Sequence, residues 1–196
     1  MAAIRAIALD VDGVLTDGGV FWGPDSAEWK RFCFADIMGV SLARKAGLMV
    51  TLISGEDSSL VDRFAAKLDL TDITKGCKDK AAALRAFARR NELSLEQICF
   101  MGDDVNDIAA MDLAGFSAAP ANARPEALRR ASLVTNASGG NGAVRELVDL
   151  ILSSARTPAC SVHTRVNARC FAAVGEDNPE CERPTQRHGP PEVIRW

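Results

Sequence analysis

Three short apolar runs in this chain each stop at a cluster of acids, hydroxyls and glycine, and that recurrence constrains the fold more than any other feature. Ala6–Leu9 runs into Asp10, Asp12 and Gly13, Leu48–Ile53 into Ser54, Gly55, Glu56 and Asp57, and Ile98–Met101 into Gly102, Asp103, Asp104, Asn106 and Asp107. An apolar run bounded by turn residues reads as a buried strand, and strands covered on both faces belong to parallel sheets. Helical stripes separate the runs: Ile37, Val40, Leu42 and Ala43 ahead of Gly47, then Leu60, Val61, Phe64, Ala65 and Leu68, then a long helix reaching about Asn91. The alternation predicts an α/β fold with a parallel sheet flanked by helices. Ligand sites in such sheets form at strand ends, so the three polar clusters are expected to meet.

Gly18 to Cys33 reads as two extended segments joined by the turn Gly23-Pro24-Asp25-Ser26, a hairpin flap beside the first acidic turn. Its aromatic residues Phe21, Trp22 and Trp29 suit packing or a subunit contact. Ser94-Leu95-Glu96-Gln97 has the form of a capping box just before the third apolar run. Shorter strands at 72–74, 116–118 and 133–135 and helices at 108–114, 125–131 and 143–152 continue the pattern. From Ser153 the pattern stops, and five of the eight prolines fall in the remaining residues. The expected organisation is a domain over 1–152 followed by a disordered or loosely attached tail over 153–196.

Net charge −3 argues against a nucleic-acid partner, and no apolar stretch approaches the length of a membrane span or an export signal. A cytoplasmic protein is expected. The cysteines are scattered without the close pairs of a zinc site, and Cys33, Cys77 and Cys99 read as core or near-core residues. Both histidines lie in the tail, so acid–base chemistry in the domain falls to carboxylates.

Two acids one residue apart point to opposite faces of an extended strand, so Asp10 and Asp12 cooperate only if the chain turns between them, and Gly13 permits that turn. Carboxylates without histidine suit a hard cation such as Mg²⁺, which shares its shell with water and phosphate oxygens. A hydroxyl at Ser54 and an ammonium at Lys80 on the same rim are what a phosphoryl group requires. Singly, each residue has a plainer role: Asp10 to Gly13 a surface turn, Ser54 or Asp107 a helix cap, Lys80 a solvated helix residue, Gly102 a turn closure. The joint order of the residues favours phosphoryl transfer.

These residues, DVDGVLTDG at 10–18, Ser54, Lys80 and GDDVND at 102–107, resemble in kind and order the four motifs of the haloacid dehalogenase superfamily. The resemblance implies a Rossmann-like sheet with a β-hairpin flap. It makes Asp10 the nucleophile, Asp12 the acid and then the base, and Asp10, the backbone carbonyl of Asp12 and Asp103 the Mg²⁺ ligands. Ser54, Gly55 and Lys80 would bind phosphate, and Asp104 and Asp107 would orient metal waters or the lysine. An acid at position 12, where the superfamily's ATPase pumps carry threonine, favours ester hydrolysis or a mutase. The gaps between motifs have no room for a cap domain, so a neighbouring subunit is expected to complete selectivity. A receiver domain would place its lysine last, whereas Lys80 precedes the acids at 103 and 104.

Thr16-Asp17-Gly18-Gly19-Val20-Phe21 and Gly139-Gly140-Asn141-Gly142-Ala143-Val144-Arg145-Glu146 resemble capless, tetrameric members that hydrolyse phosphates of 2-keto-3-deoxy sugar acids. One branch acts on 3-deoxy-D-manno-octulosonate 8-phosphate and another on nine-carbon, sialic-acid-type acids phosphorylated at O9. Glu56 and Asn141 stand where the octulosonate branch usually has arginines, and Glu28-Trp29-Lys30, Glu56 and Lys67 resemble the nine-carbon branch more. The expectation is therefore a homotetramer acting on a small sugar phosphate with the nine-carbon ester preferred, Glu56 meeting substrate hydroxyls and Lys67, reaching across a subunit boundary, its carboxylate. The octulosonate ester and a non-catalytic assembly role beside a sialic-acid cytidylyltransferase are the alternatives.

Overall fold

The computed structural model describes residues 3–24 and 27–156. Its centre is β1 (Ala6–Leu9), buried throughout and paired in parallel with β4 (Met49–Ile53) on one side and β6 (Ile98–Met101) on the other. With β5 (Ile73–Thr74), β7 (Phe116–Ala119) and β8 (Leu133–Val134) the six-stranded sheet has the order β5-β4-β1-β6-β7-β8, parallel throughout. The chain builds outward from β1 through β4 and β5, then returns to its other side at β6. The strand order thus reverses between β1 and β6, where the carboxyl ends of the strands open a crevice.

The side-chain period of two sorts the sheet into two cores. Ile7, Leu9, Val50, Leu52, Cys99 and Met101 face α1 (Phe34–Lys45), α2 (Ser59–Lys67) and α6 (Ala143–Arg156). Ala6, Ala8, Ile53, Ile98 and Phe100 face α3 (Lys80–Arg90), α4 (Ile108–Leu113) and α5 (Pro125–Arg130). Burial of this kind, about 1.5–3 kcal/mol for each large apolar side chain, drives the assembly. The helix ends follow local chemistry: the Ser58 and Asp79 side chains accept the amides of Leu60 and Ala82, and the capping box of Ser94 and Gln97 closes a single 3-10 turn before β6.

The hairpin consists of β2 (Phe21–Trp22) and β3 (Glu28–Trp29), antiparallel, with Phe21 opposite Trp29. Asp25 and Ser26 of its expected turn lie outside the described residues. Trp22 remains 81% exposed and Phe21 63%. The expected boundary at 152 falls inside α6, which continues to Arg156. Ser153 and Ser154 are helical, and their hydroxyls donate to the carbonyls of Leu150 and Ile151 in the preceding turn. The expected tail otherwise lies outside the described residues, as do both histidines.

The acid loop after β1 is clamped by the loop before α6. Gly140 donates its amide to Val14 O at 3.0 Å, and Gly139 lies so close to Gly13 that a Cβ would overlap that residue's carbonyl. Both sides of this contact are backbone, so no side chain can yield. Gly139→Ala is expected to destabilise the protein by about 1–3 kcal/mol, the cost typical of overpacking, measured as a lower midpoint in urea at unchanged m-value.

Candidate active site

Asp10 follows β1 directly, and its amide donates to Met101 O at 3.0 Å, which fixes the acid loop to the end of β6. The loop then curls back, with Leu15 and Thr16 donating amides to Val11 O at 2.9 and 3.1 Å. Inside the curl the buried Thr16 hydroxyl accepts the amides of Gly13 and Gly18 at 3.3 and 3.2 Å. Gly13 takes φ +90°, and a Cβ there would overlap the Asp103 carboxylate, so glycine serves both the turn and the approach of the second acid.

Lys80, the first residue of α3, is only 2% exposed and bridges two carboxylates, with Nζ 2.8 Å from Asp10 Oδ1 and 2.6 Å from Asp107 Oδ1. Asp107 is also fully buried, and its Oδ2 accepts the amides of Asp103 and Asp104 at 3.0 and 3.2 Å. Both its oxygens are thereby occupied, so it locks the lysine and the turn after β6 together. Burial acts to lower the Lys80 pKa, but the charges of Asp10 and Asp107 outweigh it and the net shift is upward. Asp10 is pushed upward by burial first and by the Asp107 charge second, against the pull of Lys80. Asp103 is pushed up to about 7 by burial, with the charges of Asp107 and Asp104 adding to it.

Oxygens of Asp10, Asp103 and Asp107 lie within 4.8 Å of one another, the spacing of a cation site. Asp103 Oδ1 is buried without a hydrogen-bond partner, an orphaned acceptor that a hard cation would satisfy. The donors fit Mg²⁺, and those with capacity to spare are Asp10 and Asp103. The Asp12 carboxylate is turned elsewhere, to Lys30 of the hairpin arm at 2.8 Å, so its side chain is not part of the acid cluster. Burial lowers the Lys30 pKa, but Asp12 and Glu28 raise it by more.

One cavity of about 230 Å³ is lined by Asp10, Asp12, Gly55, Glu56, Lys80, Asp103 and Asp104, together with Val105 and Asn106. The fold therefore brings together most of the residues expected from sequence. Ser54 lies beneath the cavity wall, fully buried, its hydroxyl accepting the Glu56 amide at 3.1 Å, while the cap of α2 is Ser58. Lys67 is apart from the acids. It is the last residue of α2, about 12 Å along the axis from that helix's first turn, with its ammonium 5.8 Å over the Phe34 ring. It lines a separate cavity of about 300 Å³ with Trp29, Lys30, Arg63 and Phe64.

Thr16 and Lys30 stand within the quoted motifs without an expected role at the site, and Arg124 lies outside them. Arg124 enters after β7 and with Asn122, Asp17 and the far side of Asp12 lines a polar cavity of about 430 Å³. Only the Thr16 signal was present locally, as a hydroxyl residue inside an apolar stretch; Lys30 and Arg124 reach the site from distant parts of the chain. Cys99 is buried and its thiol is pushed up to about 12, an inert core residue, while Cys33 and Cys77 are partly buried.

Residues 42–147 match the haloacid dehalogenase-like hydrolase family. The 3-deoxy-D-manno-octulosonate 8-phosphate phosphatase of Escherichia coli K12 is 37% identical over 149 residues, covering 76% of this chain and 79% of that one. The Yersinia pestis phosphatase of the same name is 36% identical over 151 residues, 77% of this chain and 81% of its own. Among solved structures, the octulosonate 8-phosphate phosphatase of Moraxella catarrhalis, in complex with magnesium, phosphate and the sugar acid, superposes with TM-score 0.76 at 34% identity, covering 78% of this chain and 87% of that one. The cobalt-bound Haemophilus influenzae phosphatase gives 0.75 at 32% identity, covering 78% and 89%. Sheet, acid cluster and relatives agree: the chain belongs to the haloacid dehalogenase-like hydrolases, as a capless phosphoric monoester hydrolase.

Proposed function

We propose that this protein hydrolyses the phosphate ester of a 2-keto-3-deoxy sugar acid in a Mg²⁺-dependent reaction, with 3-deoxy-D-manno-octulosonate 8-phosphate as substrate. The observation that carries the reading is the orphaned Asp103 Oδ1 beside Asp10 and Lys80 at the β1/β6 crevice. The names of the relatives supply the substrate class. Asp10, the Asp12 carbonyl and Asp103 would hold Mg²⁺, which would supply positive charge where phosphate oxygens gather.

An Asp10 oxygen attacks phosphorus and the ester P–O bond breaks, while Asp12 gives its proton to the departing sugar oxygen. Asp12 then takes a proton from the water that attacks the aspartyl-phosphate, releasing inorganic phosphate and restoring Asp10. Lys80 and the Gly55 backbone hold the phosphoryl group, Ser54 shapes the turn that presents Gly55, and Asp107 and Asp104 keep Lys80 and the Asp103 turn in place. The exposed aromatics Phe21 and Trp22 support a homo-oligomer in which a neighbour covers the open site. A nine-carbon 9-phosphate is the second reading, favoured by Glu56 in the cavity wall, where a carboxylate accepts hydrogen bonds from hydroxyls or an acylamino N–H.

Asp10→Asn should abolish phosphatase activity while leaving the circular dichroism spectrum unchanged, because an amide is a poor nucleophile; an active variant would rule out the covalent step. A second expectation concerns pH. The raised carboxyl of Asp103 holds its proton in the folded state from the ordinary 3.8 up to about 7, and Asp10 is shifted the same way, so their stabilisation is present at low pH and lost as pH rises through that window. Melting temperatures in EDTA should therefore fall across this range. Mg²⁺ should raise them most at its upper end, and equal gains at pH 5 and 8 would count against the cluster as the cation site.

Kinetics with both esters separate the substrate readings. The octulosonate 8-phosphate is expected to have the higher kcat/KM, and Glu56→Arg should shift the ratio further toward it by roughly tenfold, within the 1–3 kcal/mol of a mispaired polar contact. A strong preference for the nine-carbon ester would replace the first reading with the second and leave the phosphatase assignment intact.

A further inference from the structure

Lys30 follows β3 directly, and the pleat that lays Trp29 against Gly23 turns Glu28 and Lys30 to the opposite face. Its Nζ lies 2.8 Å from Asp12 Oδ1 and 3.5 Å from Glu28 Oε1, with the Lys30 side chain 3% exposed and that of Asp12 30%. An ammonium so enclosed is stable only while paired, and removing one partner leaves an uncompensated charge. Among the described residues Lys30 is the one ion-pair partner of Asp12, and it is rooted in the hairpin while Asp12 belongs to the acid loop. Without it the half-open Asp12 carboxyl would sample several rotamers.

We propose that Lys30 is a positioning residue: it holds the Asp12 carboxyl by Oδ1, leaves Oδ2 to carry and take the proton, and makes that orientation depend on the hairpin lying against the acid loop. The inference rests on the acid–base role proposed for Asp12. It adds a function for the hairpin within a single chain, distinct from any contact its aromatics make with another copy.

The test uses leaving groups of different need. An alkyl alkoxide departs only with a proton, whereas p-nitrophenolate departs without one, and kcat/KM reports events up to the first irreversible step, here transfer to Asp10. Lys30→Met is expected to lower kcat/KM about 10- to 100-fold on a primary alkyl phosphate and less than about 3-fold on p-nitrophenyl phosphate, a share of the 10²–10⁴-fold worth of acid–base catalysis. Lys30→Arg, which keeps a hydrogen-bonding cation, should recover most of the alkyl activity. Lys30→Gln takes the place of the Met variant should that one not fold by circular dichroism. Equal losses on both esters would mean that Lys30 merely anchors the hairpin, and no loss would mean that Asp12 needs no support; either result overturns the proposal. Asp12→Asn run in parallel separates the levels. If it shows no leaving-group dependence, the acid role fails and the inference with it; if it shows a steep one while Lys30→Met does not, the inference fails alone.

Discussion

The buried bridge from Lys80 to Asp10 and Asp107 is the interaction on which the rest of the site depends. Removing such groups from water costs several kcal/mol per ion, and the cost is offset only by short, well-aligned partners. The distances of 2.8 and 2.6 Å meet that requirement. They also require the end of β1, the start of α3 and the turn after β6 to meet at one point. Three carboxylates, Asp10, Asp103 and Asp107, then face one ammonium, which leaves two negative charges when all are ionised. Burial first and that imbalance second raise the proton affinities of Asp10 and Asp103, and a divalent cation is the charge that would cancel the excess.

The sheet and the acid cluster were legible because both rest on short-range periodicity. Ile7 and Leu9 fall to one core and Ala6 and Ala8 to the other, as a strand buried on both faces demands, and the residues after each run had to emerge at the same edge of a parallel sheet. Lys30 escaped notice as a partner of Asp12 because the two are joined only by the closing of the hairpin, which no local pattern encodes. Lys67 was expected to reach the substrate across a subunit boundary, and within its own chain the nine-residue α2 ends with it apart from the acids. The serines at 153 and 154 looked like a boundary and are instead helical residues bonded to their own preceding turn.

Substrate choice was the least legible because local and overall similarity point in different directions. Glu56 and the Glu28-Trp29-Lys30 segment suggested a nine-carbon ester, whereas the relatives found across three quarters of the chain are octulosonate phosphatases. A few residues at the mouth of an open site tune an affinity difference of a few kcal/mol, and such a difference leaves no trace in the framework that produces overall identity. Two of the three residues in that segment have work inside the chain, since Lys30 bridges Asp12 and Glu28. Their presence therefore reports on the hairpin at least as much as on the substrate.

The same reasoning applies to position 141. The loop carrying Asn141 is tied to the acid loop through Gly139 and Gly140, and to α1 through the buried Asp36, whose carboxylate accepts the amides of Gly142 and Arg145 at 3.0 Å each. Glu146 turns back to accept the amides of Asn136 and Ala137, so the loop is held from both ends. Within it the Asn141 carbonyl accepts from Arg31 at 2.9 Å, and Arg31 in turn reaches Asp17 of the acid loop at 3.3 Å. An arginine at 141 would set a second guanidinium against the first and compete for Asp17. Residue 141 thus acts through Arg31, and in this chain its contribution belongs to the Arg31–Asp17–Asn141 network and not to one side chain.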